Sequence, residues 1–524
     1  MAQKNLTSSV YTFEDLIGGG YLYVDKTEQL WQLLEPGKGI YFLSRPRRFG
    51  KSLTISTLKA AFQGKQKLFE GLALATKPFD WKPYPVIHLD LAELPASSAQ
   101  ELDLMLQRAL VNCAQENGVG PLSEGNAPMR FSELIRTMAA KDKVVILIDE
   151  YDKPLIDNLD NPKLKDIRSV LEGFYSVVKA TEPFQRFVLL TGVSKFSQVS
   201  VFSKLNNLYD ISMDEHFATM LGYTQEELEA NFADRIEQAT RQHGLTKAEL
   251  LDRLREWYNG YRFCEDTPTV YNPVSVAKFF ESGGKFKNYW FATGTPSFLL
   301  KLIKRQQFDF EQELGKTLDE LAFAAYDVEH IEALPLLFQT GYLTIKSSSL
   351  SRGVTHYRLG FPNREVEAAF NAYLLEEYGA AKKERSGVIA SDLADFLEAG
   401  DLEGAMELLR SFLADIPYDI QIKAERYYQT IFYTFFRLVG IFVEAEARTS
   451  SGRIDAVVKA GTHIYIFEFK LDGSADAALD QIRDKEYWLK HRAEGKDITL
   501  VGASFGAAER NLVEWKTASP PDAD

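Results

Sequence analysis

The sequence predicts an α/β protein with a parallel-sheet core, a mostly helical middle region and a second, mixed α/β unit at the C-terminus. Three observations carry this expectation. Apolar runs alternate with helical patterns through the N-terminal part, one of those runs has no polar alternation, and strand-like segments resume only after a long helical stretch. The chain has 524 residues, more than one hydrophobic core usually organises, so several domains are expected. Hydrophobic residues make up 45% and charged residues 26%, which supports folded domains and leaves little room for extended disorder.

The first strands are read at Ile40 to Leu43, Val86 to Leu89, Val144 to Ile148 and Phe187 to Leu190, each separated from the next by helical pattern. Val144-Val145-Ile146-Leu147-Ile148 is apolar throughout, as expected of a central strand buried on both faces. From about Thr224 to Ser411 the pattern is helical, interrupted by Leu336 to Ile345, a Ser-rich turn at Ser347 to Ser351, and Tyr357-Arg358-Leu359. A short helix and a hairpin fit either a helical lid or a winged-helix-like module. The lack of a dense Lys/Arg cluster on either flank favours the lid. The C-terminal part reads as a helix from about Gln421, strands near Ile441, Ile454 and His463, a helix from about Asp476 and a strand near Ile498. The expected domains are therefore 1–223, 224–411 and 412–516, with a frayed polar tail at 517–524.

With 74 acidic and 60 basic residues the net charge is −14, which argues against a wholly basic nucleic-acid-coating surface and leaves a local basic groove open. Cys113 and Cys264 have no partners at metal-site spacing and read as free, reduced thiols. No apolar run approaches the roughly 20 residues that span a bilayer, and Met1 to Asn5 leads into no signal-peptide core. A cytoplasmic protein without a membrane segment is expected, with homo-oligomerisation left open.

Directly after the first strand comes Ser44-Arg45-Pro46-Arg47-Arg48-Phe49-Gly50-Lys51-Ser52, then a helical pattern from Leu53 to Phe62. Strand, tight loop, Gly-Lys-Ser and helix form a phosphate-binding arrangement. Gly50 lets the backbone approach phosphates, the helix N-terminus attracts the anion, Lys51 reaches the terminal phosphates, and Ser52 can ligate Mg²⁺. Arg45 stands where G-x-x-x-x-G-K-[ST] has its first glycine, so the loop entry is expected to differ in shape. Arg47 and Arg48 beside the loop can act on the nucleotide or position the loop. The strand ending in Asp149-Glu150 supplies the second half: Asp149 to orient Mg²⁺ through water and Glu150 to polarise the attacking water. Such a pair can also cap a following helix, but both halves occur in the required order. After the strand Phe187 to Leu190, Ser194 in Thr191-Gly192-Val193-Ser194-Lys195 is a candidate γ-phosphate contact.

The C-terminal unit contains Arg453-Ile454-Asp455-Ala456 and then Ile466-Phe467-Glu468-Phe469-Lys470. Alternation along a strand puts Glu468 and Lys470 on one face. If the two strands pair, Asp455 and Glu468 converge as oxygen ligands for Mg²⁺, and Lys470 can orient or help deprotonate the attacking water. Glu425, in line with Tyr428, Phe432, Phe435 and Val439, falls on an apolar stripe and is a further candidate ligand. Glu444 and Glu446 are read as another ligand or as an exposed polar edge. Gln481 and Lys485, one helical turn apart, are candidate phosphate or base contacts.

Together with Tyr23-Val24-Asp25-Lys26-Thr27, Asp149-Glu150-Tyr151-Asp152-Lys153-Pro154, Trp257-Tyr258-Asn259-Gly260-Tyr261 and Tyr271-Asn272-Pro273, these segments resemble the bacterial AAA-ATPase-like family whose members carry a C-terminal PD-(D/E)XK nuclease-like domain. The resemblance covers nearly the whole chain. It implies an ASCE-type P-loop NTPase core that uses ATP and Mg²⁺, and a loop that tends to lack its first glycine in the family as well. It also implies a restriction-endonuclease-like C-terminal domain, with Gln481 and Lys485 on the glutamine-bearing helix of such nucleases. Two functions fit: an ATPase coupled to a Mg²⁺-dependent nuclease acting on DNA or RNA, or a signalling or scaffold NTPase whose C-terminal domain binds nucleic acid or a partner without cutting.

Overall fold

The computed structural model describes residues 4–195, 207–290, 299–300, 302–303, 306, 313–314, 316–319, 321–324, 332–377, 383–414, 424–440, 444–450, 453–506, 509 and 511–521, with backbone alone at 321, 324, 383–384, 424–430, 445–450 and 453–455. The chain divides into two compact units: Met1–Trp290 with Thr317–Asn363, and Phe291–Lys316 with Arg364–Asp524. The stretch 224–411, read as one middle region, is therefore shared between them.

The first unit is built on five parallel strands, β1 (Ile40–Ser44), β2 (Val86–Asp90), β3 (Val144–Asp149), β4 (Gln185–Gly192) and β5 (Tyr209–Asp210), in the order β2-β3-β4-β1-β5. Every residue of β1 and β3 is buried, because helices cover both faces of a parallel sheet. One covering layer comes from Ala99–Glu116, Ala127–Ala139 and Leu164–Ala180. Their apolar positions at helical spacing, such as Leu102, Leu106 and Leu110, or Ile167, Leu171 and Phe174, enter the core beneath β3. Phe131 and Phe174 stack there at 4.6 Å. The four expected strands are present, and three run on to a polar terminal residue, Ser44, Asp90 or Asp149. β5 was not foreseen, since two residues carry no periodicity.

This topology places the site. β4 lies between β1 and β3, so the loop leaving β1 and the acids ending β3 open on the same carboxyl edge. The strand order turns around at β1, where open parallel sheets bind ligands.

The expected helix and hairpin are a helix at Ala333–Gln339 followed by β7 (Thr344–Ser351) and β8 (Val354–Gly360), with β6 (Thr317–Asp319) pairing β8 on its other side. The serine run was misplaced. Ser347 to Ser351 lie inside β7, and the turn is Arg352-Gly353, with φ of 52° and 79°. Two successive positive-φ residues suit the right-handed twist of a tight hairpin, which polarity alone does not reveal.

The second unit contains β9 (Glu444–Ser450), β10 (Arg453–Ala460), β11 (His463–Leu471), β12 (Asp497–Gly506) and β13 (Asn511–Ala518), in the order β13-β12-β11-β10-β9, with β11 and β12 parallel and the other pairs antiparallel. Phe467 and Phe469 on one face of β11 pack against Phe432 and Phe436 of the helix Ala424–Val439. On the other face Ile464 and Ile466 meet Leu479 and Ile482 of the helix Ala475–Asp484. The strand expected near Ile441 is β9; 441–443 lie outside the described residues. β13 was missed, and the tail read from 517 begins later, because Thr517 and Ala518 pair with Val501 and Leu500. An edge strand bearing Glu514 and Lys516 shows no apolar run to the eye.

Candidate functional site

The loop from Arg45 enters the helix Lys51–Phe62 through Gly50, whose φ of 97° is a left-handed conformation that favours glycine. Arg48 also has a positive φ, 67°, uncommon for a residue with a side chain. Lys51 is only 4% exposed. Its ammonium donates to the carbonyl oxygens of Arg45 (3.2 Å) and Pro46 (3.4 Å) and lies 3.3 Å from Glu150 Oε1. The loop, the helix start and the acidic strand end thus converge on one cation.

Arg45 explains its own departure from the glycine pattern. Fully buried, its guanidinium donates to the carbonyl oxygens of Ser44 (3.0 Å), Ser212 (2.6 Å) and Phe217 (3.1 Å) and lies 4.2 Å from the centre of the Phe263 ring. The loop entry is therefore tied by a buried cation to the segment after β5. Phe49 anchors the loop from beneath, edge-on to Tyr261 and Phe263. Arg47 does not line the cavity described below; its carbonyl oxygen accepts from Trp290 Nε1 at 3.1 Å.

At the end of β3, Asp149 is buried and accepts from the Thr191 hydroxyl and, at 3.0 Å, from the Glu150 amide. Glu150, at φ 50°, turns into the cavity. Two residues on, Asp152 is fully buried, and burial with the Glu150 charge pushes its carboxyl up to about 6. It accepts from the amides of Val193 (3.1 Å) and Ser194 (2.7 Å) and from the Ser194 hydroxyl (2.6 Å). The structure therefore directs the Ser194 hydroxyl to Asp152, and Ser194 is not part of the cavity wall. Asp152 was not singled out from the sequence, although an acid just after Asp149-Glu150 was a legible signal.

The cavity is about 360 Å³, a size typical of small-molecule sites. It is walled by Arg48 to Ser52 and Glu150 together with apolar and aromatic groups including Tyr11, Leu22, Val24, Met220, Tyr223 and Val274. Lys26 also lines it, donating to Thr219 O (2.8 Å) and to Glu227 (2.6 Å), with burial lowering its pKa. The loop residues of this wall were expected from the sequence, whereas the apolar part, assembled from distant segments, was not. Of the two candidate Mg²⁺ ligands in this unit, Ser52 lines the cavity, whereas Asp149 is not part of its wall and its Oδ1 accepts from the Thr191 hydroxyl and the Glu150 amide.

In the second unit, Asp455 of β10 is in register with Glu468 of β11, and Arg453 with Lys470. Directly opposed residues hold their Cβ atoms about 4.5–5.5 Å apart, so the predicted pairing of Asp455 with Glu468 is present at the backbone level; the Asp455 side chain lies outside the described residues. Glu468 is fully buried, and the Lys470 ammonium lies 3.5 Å from its Oε1. Lys470 also donates to Gln481 Oε1, which brings the expected helix residue to the site. Lys485, the C-cap of that helix, is exposed.

Glu425 sits in the first turn of a helix that packs on the opposite, Phe467/Phe469 face of β11, and its side chain lies outside the described residues. Glu444 is not brought to this site. It is in register with Lys459, four residues along β10 from Asp455, and pairs with that lysine at 2.9 Å.

A parallel sheet with a strand inserted between the phosphate loop and the acidic strand, followed by a mixed sheet bearing an acid–acid–lysine constellation, defines a P-loop ATPase-like protein joined to a nuclease-like domain. Residues 8–202 match the predicted AAA-ATPase family, and residues 423–515 match the PD-(D/E)XK nuclease superfamily. The chain belongs to the family of predicted AAA-ATPases with a C-terminal PD-(D/E)XK nuclease-superfamily domain. It is 39% identical over 535 residues to an uncharacterized protein in the vnfD 5′ region of Azotobacter chroococcum mcd 1, an alignment covering 99% of this chain and 100% of that one. Among the described residues no helix is long and apolar enough to cross a membrane.

Proposed function

We propose that the protein binds and hydrolyses ATP in the cavity of its first unit and that this reaction governs cleavage of nucleic acid by its second. The observation that carries the reading is the convergence of Lys51 and Glu150 in the wall of a cavity that apolar and aromatic groups also line. That lining suits a nucleoside triphosphate: phosphates at the helix N-terminus and base against the apolar groups. Lys51 neutralises phosphate charge, and Glu150 accepts a proton from the attacking water. In the second unit Lys470, held by Gln481 and Glu468, orients water toward the scissile phosphate. Ser52 and Asp149 in the first unit, and Asp455 and Glu468 in the second, would hold Mg²⁺, which when bound polarises phosphoryl oxygens. The free, buried thiols of Cys113 and Cys264 suit a reducing, cytoplasmic setting.

The test is incubation of the purified protein with end-labelled DNA and RNA, with and without Mg²⁺ and ATP. Cleavage is expected only with the metal and at a rate that ATP changes. Binding without cleavage in Mg²⁺ or Mn²⁺, at any ATP concentration, would replace the nuclease with a scaffold that holds nucleic acid.

A further inference from the structure

The end of β4 and the residues just after it are tied one by one to the loop entry at Arg45 and to the acidic segment from Asp149 to Asp152. The Thr191 hydroxyl donates to Asp149, and the Thr191 carbonyl oxygen accepts from the Tyr151 amide at 3.0 Å. Gly192 O accepts from the Arg45 amide, at the loop entry, at 3.1 Å. The Val193 amide, the Ser194 amide and the Ser194 hydroxyl all converge on one oxygen, Asp152 Oδ2, and the Ser194 carbonyl oxygen accepts from the Tyr151 hydroxyl at 2.6 Å. The Lys195 amide donates to Gln339 Oε1 at 2.8 Å. No slack remains at Gly192, where an added Cβ would meet the Tyr151 ring at 2.4 Å and Asp152 Oδ1 at 2.6 Å.

Asp152 is the side chain on which three of these ties meet. A carboxylate with no exposure is costly to bury, and here three donors on one short segment offset that cost. It stands one tight turn after Glu150, because the Lys153 amide closes back on the Glu150 carbonyl oxygen at 2.9 Å. Its grip on Val193 and Ser194 therefore sets where Glu150 lies relative to β4, and, through Gly192 and Arg45, relative to the phosphate loop.

Resting on the ATPase reading above, we propose that Asp152 is a positioning residue for ATP hydrolysis, acting through Ser194 to hold Glu150 and the phosphate loop in register. It touches neither nucleotide nor water in this role. Its effect belongs to the chemical step, where a displacement of about 1 Å can cost on the order of 10²-fold in rate, rather than to nucleotide binding.

The test uses the full chain as Asp152→Asn, Ser194→Ala and the double variant, with ATP affinity measured by calorimetry and turnover by phosphate release. Asp152→Asn keeps the side chain's shape, but its amide offers a single acceptor oxygen and places a donor group facing the Val193 amide. It is expected to bind ATP within about threefold of wild type while kcat falls about 10²-fold. Ser194→Ala, a small change that leaves the backbone ties in place, should lower kcat by about tenfold with the same unchanged affinity. Because the two act through one contact, the double variant should be no slower than Asp152→Asn alone. If Asp152→Asn does not fold, Ser194→Ala decides alone. Variants that lose thermal stability yet keep wild-type kcat per folded molecule would overturn the proposal. Lys51→Ala runs in parallel: turnover that survives it would overturn the ATPase reading itself, and the proposal with it.

Discussion

Glu150→Gln is expected to bind ATP as the wild-type protein does and to hydrolyse it about 10²–10⁴-fold more slowly, the usual cost of removing a general base. The amide preserves volume at the φ 50° position that turns this residue into the cavity, so the loop and the apolar wall stay as they are. It loses the charge proposed to accept a proton from water. It also loses the partner 3.3 Å from Lys51, which should free that ammonium for phosphate and leave affinity equal or slightly higher. Single-turnover phosphate release beside an ATP titration separates the two effects. Unchanged turnover would move the base to another residue.

Asp455→Ala, Glu468→Ala and Lys470→Ala should each reduce Mg²⁺-dependent cleavage by about 10³-fold or more, roughly 4 kcal/mol of transition-state stabilisation, with ATP binding unchanged. The defects should differ in kind. In the proposed mechanism removing either carboxylate empties a coordination position, so raising the metal concentration should restore part of the rate, whereas Lys470 is proposed to act on water and its loss should not respond to metal. Glu468 has a further consequence of burial: without it, Lys470 keeps only the Gln481 contact among those described at this site, so the Glu468 variant should mimic part of the lysine defect. Cleavage that survives Asp455→Ala undiminished would contradict the assignment of this site.

The contrast between what could and could not be read from the chain has a physical pattern. Val144 to Ile148 was legible because a strand buried on both faces must be apolar at every position, and the entry into the helix Lys51–Phe62 was legible because a Gly-Lys-Ser run stands between a strand and a helical pattern, with Gly50 taking the left-handed φ of 97°. Alternation put Glu468 and Lys470 on one face of a strand, but that Asp455 would stand opposite Glu468 was expected only if the two strands paired, and the antiparallel register supplies it. Long-range assembly was not legible. The apolar wall joins Tyr11, Val24, Tyr223 and Val274, and nothing local announces that they meet. Arg45 looked like a defect in a glycine pattern and is instead a buried anchor for Ser212 and Phe217. Ser194 had the right type and place for a γ-phosphate contact, yet its hydroxyl serves Asp152, a choice made by packing after β4. β13 escaped because an edge strand is half polar, and Ser347 to Ser351 read as a turn because serine-rich polarity marks exposed strands as readily as loops.

The claim on which the rest depends is that the loop from Arg45 to Ser52 holds the phosphates of a nucleotide. Isothermal titration of ATP with Mg²⁺ into the wild-type protein and into Lys51→Ala tests it most directly. Lys51 is 4% exposed and its ammonium already rests on two loop carbonyl oxygens, so alanine removes the cation on which loop, helix and acidic strand converge while leaving the Arg45 side-chain anchor in place. The account predicts one saturable site in the wild-type protein and no measurable heat of binding in a folded Lys51→Ala variant. Equal ATP affinity in the two proteins would contradict it.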